Sequence, residues 1–144
     1  MLRNTIREVV VIQEAERFGI SVSESEVAQI MYSYQLMFPE IFEDALDTYG
    51  YDGLVFGLRQ RRLYNLVRDF IIYNEVLPGI EISDSILIEH LDNIEAIDVE
   101  LNDESRHYIK NHYIDHFVIV NFEKIREQLY QNADIIYFIN LEWS

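Results

Sequence analysis

Apolar residues recur along this chain at helical spacing, and Gly, Pro and Ser cut the pattern into segments. Ile6, Val9, Val10, Ala15 and Phe18 keep one face apolar, which predicts a first helix from about Asn4 to Phe18. Gly19 follows, where a helix C-terminus takes a left-handed residue. Ser23 and Glu26 have capping-box spacing, so each can satisfy an orphan amide at the start of a second helix. Val27, Ile30, Met31, Tyr34 and Phe38 then fall at i, i+3, i+4, i+7 and i+11. Pro39 interrupts that period and can open a third, short helix as a first-turn proline. Its predicted inner stripe is Ile41, Phe42, Ala45, Leu46 and Tyr49, and Gly50 ends it.

A fourth helix, capped by Asp52, is expected to run to Val76 or Leu77, with Phe56, Leu63, Phe70 and Leu77 recurring every seventh residue. Leu66, Val67 and Ile71 widen that stripe, and Pro78-Gly79 stops the helix. Ser83-Asp84 starts a short amphipathic helix, about Asp84 to Asn93, with Ile86, Leu87, Leu91 and Ile94 on one side. Ile97-Asp98-Val99-Glu100-Leu101 alternates strictly, which signals a strand or an extended connector. Asn102 or Asp103 can cap a long final helical region, with Ile109, Tyr113, Phe117 and Val120 buried. The β-branched run Val118-Ile119-Val120 weakens helix there, and Asn121 can restart it. From Asp134 the alternation of Ile135, Tyr137, Ile139, Leu141 and Trp143 reads as a C-terminal strand. A strand needs a partner for its backbone groups, and residues 97–101 are the candidate. The expected fold class is therefore mainly α: a compact multi-helix domain with a short two-stranded β-ribbon near the C-terminus. One domain, 1–144, is expected from two sequence halves, 1–94 and 103–144.

Composition agrees with an ordered globular chain. Apolar residues make up 49%, against two prolines and five glycines. The net charge is −15, with twelve acids and seven bases over residues 1–80 and fourteen acids and four bases over residues 81–144. Such a field repels phosphate backbones and argues against nucleic-acid binding. It favours basic or neutral polypeptide partners. There is no cysteine, so disulfides and thiolate chemistry are excluded. No apolar run approaches the length of a membrane span. The compartment stays open: cytoplasmic if Met1 is the native start, periplasmic or extracytoplasmic if a signal peptide has been removed.

Catalytic patterns are sparse. His112 and His116 share a helical face and have the spacing of a metal-ligating pair. No Glu follows His112, so the hydrolytic zinc signature is absent, and surface histidines are the plainer reading. The sequence argues for no metal and no cofactor. Gly50, Gly53 and Gly57 lack a phosphate-loop fingerprint. Carboxylate pairs such as Glu24 with Glu26 are expected by chance among 26 acids. A non-enzymatic role is the expectation.

The stronger candidate is a set of aromatic and methionine residues at the turn between the second and third helices. Met31, Tyr34 and Phe38 follow the buried period, whereas Tyr32 and Met37 do not. With Phe42 they supply the flexible and amphipathic side chains that suit a surface for varied apolar sequences. Arg59, Arg61, Arg62 and Arg68 form the chain's basic concentration. They can pair with acids of the C-terminal half, or Arg59 and Arg62 can anchor a carboxylate such as a peptide C-terminus.

The junction Gln13–Val27 resembles the helix junction in the N-terminal chaperone domain of SurA-type, parvulin-associated folding factors. Phe42-Glu43-Asp44-Ala45-Leu46, Gly50 and the long Arg-bearing helix through Val76 resemble that family's next helices. Glu81–Ser85 resembles the segment before its parvulin domain, and residues 122–139 its closing helix and strand. Where the family carries a parvulin isomerase, this chain has only Glu95–Asn102, so isomerase activity is not implied. The resemblance implies ATP-independent holding of apolar segments of unfolded or nascent polypeptide, and the residues themselves suggest Met31, Tyr32, Tyr34, Met37, Phe38, Phe42, Arg59 and Arg62 as the peptide-binding set. The alternative is a dedicated accessory protein for the maturation of one protein or peptide partner. A homodimer formed by exchange of the C-terminal strand or the long helices is a further expectation.

Overall fold

A computed structural model describes residues 2–96 and 98–133. The fold is mainly α, as the periodicity predicts. Its helices are α1 (Leu2–Phe18), α2 (Glu24–Met37), α3 (Pro39–Ile71), α4 (Asp84–Asn93) and α5 (Arg106–Asn132). Among the described residues, those up to Asp69 together with 129–133 form one compact unit, and Phe70–Gln128 forms the other. The division falls at residues 69/70 and 128/129.

In the first unit, α1 ends in a Schellman arrangement. Gly19 has φ +66°. Its N–H donates to the Glu16 carbonyl at 3.2 Å, and the Ile20 N–H donates to the Ala15 carbonyl at 2.8 Å. These bonds use carbonyls that a helix end leaves orphaned. Three residues on, the capping box of α2 is complete. The Ser23 hydroxyl accepts from the Glu26 N–H at 3.1 Å, and the Glu26 carboxylate accepts from the Ser23 N–H at 3.2 Å. Pro39 opens α3 at once, and Gly50, at φ 70° and ψ 171°, breaks it into two arms.

The core around this corner is Val27, Met31, Phe42 and Leu54, with Tyr34, Ala45, Leu46 and Leu58 packed against it. Two predicted stripes shift. On the first arm of α3, Phe42 is buried but Ile41 and Tyr49 are exposed. On the second arm, Tyr64, Val67 and Ile71 are buried, whereas Phe56 of the expected heptad stripe is 63% exposed. The buried side is the i, i+3, i+7 set Tyr64, Val67 and Ile71, which is centred about 60° around the helix from the Phe56–Leu63 row.

In the second unit, a π-helical segment (Ile72–Val76) and a 3-10 turn (Leu77–Gly79) end the long helix. Pro78 has no N–H for the next helical bond, and the Ile80 N–H closes the turn on Leu77 at 3.1 Å. α4 occupies the predicted residues, and the Ser83 hydroxyl accepts from the Ile86 N–H at 3.3 Å. Leu87, Leu91 and Ile109 make this unit's core, with Ala96, Leu101 and Tyr113 against it. Before α5, the Asn102 side chain accepts from the Glu104 and Ser105 N–H groups, both at 3.0 Å.

α5 runs without a break through Val118-Ile119-Val120, contrary to the expected weak point. Asn121 does not restart the helix: its side-chain amide donates to the Phe117 carbonyl one turn back at 2.8 Å. Val118 is half-buried but Ile119 and Val120 are exposed, Val120 against its expected burial. The β-branched penalty of a few tenths of a kcal/mol per residue is too small to break a helix of this length. Residues 98–101 form a turn and connector, with the Val99 N–H on the Ala96 carbonyl at 3.2 Å. They are not a strand, and none occurs among the described residues. Ile97 and the expected C-terminal strand from Asp134 lie outside the described residues, and the strand-exchanged dimer turns on that same segment. Among the described residues no helix is long and apolar enough to cross a membrane.

Candidate functional site

Helix α2 is flanked by open grooves on both sides, all within the first unit. On one side a groove of about 440 Å³ is lined by Glu26, Ile30, Tyr34, Met37, Leu58 and Arg62, among others. On the other, two adjoining hollows of about 340 and 360 Å³ share Ala28, Met31 and Tyr51. The first of these reaches Glu24 and Arg59, and the second reaches Tyr32, Phe42 and Leu46. Helix geometry explains the arrangement. Val27 and Met31, four apart, plug the core, so their neighbours on either flank stand at its rims.

The structure divides the predicted set into floor and rim. Met31 and Phe42 are 8% and 7% exposed and form the floor. Tyr34 is half-buried and links floor to rim, with ring centroids 5.8 Å from Phe38 and 6.1 Å from Phe42. Tyr32 and Met37 stand 64% and 66% exposed, as their off-period positions imply. Phe38 differs from its expected burial. It is the C-cap of α2, outside the last helical turn, and half of it faces solvent.

The arginines are dispersed rather than gathered. Arg61 meets Glu8 at 4.0 Å, Arg62 meets Glu26 at 3.7 Å, and Arg68 meets Asp69 at 2.9 Å. Their partners are therefore acids of the first unit, not acids of the C-terminal half. Any carboxylate brought to Arg62 from outside has to compete with Glu26. Arg59 lines the opposite groove with Glu24, and its Nε is shut from solvent without a hydrogen-bond partner among the described residues.

The second unit holds a cluster that sequence reading missed. His90, on α4, is 4% exposed. Its Nε2 lies 2.8 Å from Nδ1 of His112, and its ring centroid lies 5.4 Å from that of His116. Tyr113 meets the His90 ring edge-on at 5.4 Å. Burial, reinforced by the neighbouring His112 and His116, holds the His90 pKa below its ordinary 6.5. The available signal was its place between Leu87 and Leu91 on the buried face of α4. Despite this proximity, no group of three or more His, Asp or Glu among the described residues has metal-holding geometry. The His112 and His116 pair serves instead as polar company for a buried imidazole. A cavity of about 620 Å³ beside the α4 end, lined by Leu91, Asp92, Glu95, Ala96, Glu100 and Leu101 among others, also lay beyond sequence reading.

The chain matches no known protein family, no curated protein and no solved structure.

Proposed function

We propose that this protein is an ATP-independent holding factor that buries apolar segments of unfolded or nascent polypeptide in the grooves beside α2. The observation that carries the reading is the pairing, in one groove, of a buried floor, Met31 and Phe42, with solvent-facing Tyr32 at its rim, while Met37 stands exposed at the rim of the groove on the other side of α2. A floor held by the core stays in place without a client. A rim of unbranched Met and amphipathic Tyr adapts to different side chains at small cost. Burial of about 400 Å² of apolar surface contributes roughly 10 kcal/mol before the costs of association. Ordering of the client and lost rigid-body freedom remove several kcal/mol, which leaves about micromolar affinity. Affinity of that order suits capture and release without an energy source.

The test uses the whole chain. A urea-denatured client is diluted into buffer with and without the protein, and aggregation is followed by light scattering. Amide shifts are then mapped with a neutral apolar peptide. Suppressed scattering together with shifts between residues 27 and 62 supports the reading. Undiminished aggregation with no shifts there overturns it.

A further inference from the structure

We propose that the α2 grooves select cationic amphipathic segments, in which Lys or Arg alternates with apolar residues, over neutral apolar ones. This inference rests on the client-holding reading and names the chemistry of the client.

Between Phe18 and Leu58 the chain carries no Lys, Arg or His, while Glu24, Glu26, Glu40, Glu43, Asp44, Asp47 and Asp52 all fall there. Four of them lie on the first arm of α3. At 100° per residue, Glu40, Glu43, Asp44 and Asp47 share one arc about 100° wide. Phe42, Ala45 and Leu46 take the opposite, core-facing side. All four acids are exposed, and none has a cationic partner among the described residues. Glu43 is three residues from Leu46, which lines a groove, so the acidic stripe begins at the groove's margin.

On the same corner, Tyr32, Leu36, Met37, Phe38 and Ile41 are exposed apolar side chains. Four arginines of this unit are held elsewhere, Arg17 on Glu14, Arg61 on Glu8, Arg62 on Glu26 and Arg68 on Asp69, and Arg59 lines the adjoining hollow with Glu24. Uncovered apolar surface beside unneutralised carboxylates is complementary to a segment carrying both properties. Its apolar side chains enter the groove, and its ammonium or guanidinium groups meet the stripe with charge-assisted hydrogen bonds. A second copy of this chain, at net charge −15, brings like charge to the same surface and is a poor occupant.

Three fluorescent peptides with the same apolar residues, and with Lys, Ser or Glu at the intervening positions, are titrated against the whole protein by anisotropy. At about 20 mM salt the Lys peptide is expected to bind at least about tenfold more tightly than the Ser peptide, with the Glu peptide weakest. At about 300 mM salt that advantage shrinks to about twofold. A variant combining E40Q, E43Q, D44N and D47N, checked for helix content by circular dichroism, removes the Lys preference and leaves Ser-peptide binding unchanged. Equal binding of the Lys and Ser peptides at low salt overturns the inference and leaves the client-holding reading standing. Absence of binding by all three overturns both. A Lys preference that survives in the quadruple variant also overturns the inference, because its source then lies outside the stripe.

Discussion

The imidazoles of His90 and His112 share one hydrogen bond, Nε2 to Nδ1 at 2.8 Å, with His90 buried and His112 exposed. One ring donates and the other accepts, so the bond requires at least one of them to be unprotonated at the shared edge. His116 and Tyr113 are the other polar groups whose rings meet His90, and among the described residues no carboxylate compensates a charge on it. A depressed folded pKa means that the unfolded chain takes up protons first as pH falls below 6.5. The second unit is therefore at full strength above 6.5 and loses stability as pH falls from there through the folded His90 pKa. Urea unfolding at pH 7.5 and 5.5 checks this: H90L should flatten the difference, and an unchanged difference in H90L refutes the assignment.

A second, more acidic limb comes from Asp84, which makes a two-pronged contact with Arg106. The Arg106 guanidinium, hydrogen-bonded to the Asp84 carboxylate, holds it below its ordinary 3.8. That contribution is present above 3.8 and is lost as pH falls through the lowered value. Replacing Arg106 with Gln should move the Asp84 carboxyl titration, followed by NMR, back toward 3.8.

The two glycines with positive φ should differ in their response to alanine. Both have open space where a Cβ would go, so the penalty is conformational in each case. G19A meets a left-handed helical site, which costs about 1–2 kcal/mol. Gly50, at φ 70° and ψ 171°, occupies a region almost confined to glycine, with a cost at the upper end of about 1–3 kcal/mol. Thermal unfolding of the two variants should therefore rank G50A below G19A.

Glu26 serves two partners, and the two can be separated. S23A removes the hydroxyl that caps α2 and should cost about 1 kcal/mol. E26Q keeps an acceptor for the Ser23 N–H but drops the charge facing Arg62. At 3.7 Å and with both side chains about two-fifths exposed, that ion pair is worth at most about 0.5 kcal/mol. A loss in E26Q as large as that in S23A would show that the Glu26 charge contributes as much to this corner as the cap.

Floor and rim of the grooves should respond oppositely to truncation. M31A and F42A leave cavities in a packed core and should cost about 2–5 kcal/mol. Y32A and M37A should change stability by no more than about 0.5 kcal/mol, yet lower peptide affinity several-fold. Comparable destabilisation by Y32A would place Tyr32 in the core and remove it from the binding surface.

Local punctuation was legible because its chemistry is local. Gly19, the Ser23–Glu26 box, Pro39, Gly50 and Ser83 each act on backbone groups within a few residues, so their consequences need no tertiary partner. The helix bounds they imply match α2 and α4 closely. Within the candidate site, the separation of Tyr32 and Met37 from Met31 was equally readable, because it follows from angle around one helix. Phe38 was misplaced because the period continues only while the helix does, and α2 ends at Met37.

The sequence by itself determined that this chain is helical and where most of its helices start and stop. Tertiary structure alone decided which of several apolar stripes turns inward on a long helix, since Phe56 and Val67 are equally apolar on paper and only packing chooses between them. It also brought His90 to His112 across twenty-two residues and left the acids of the first α3 arm unpaired while the arginines found other partners. Those outcomes depend on distances between separate helices, which no spacing along a single chain encodes.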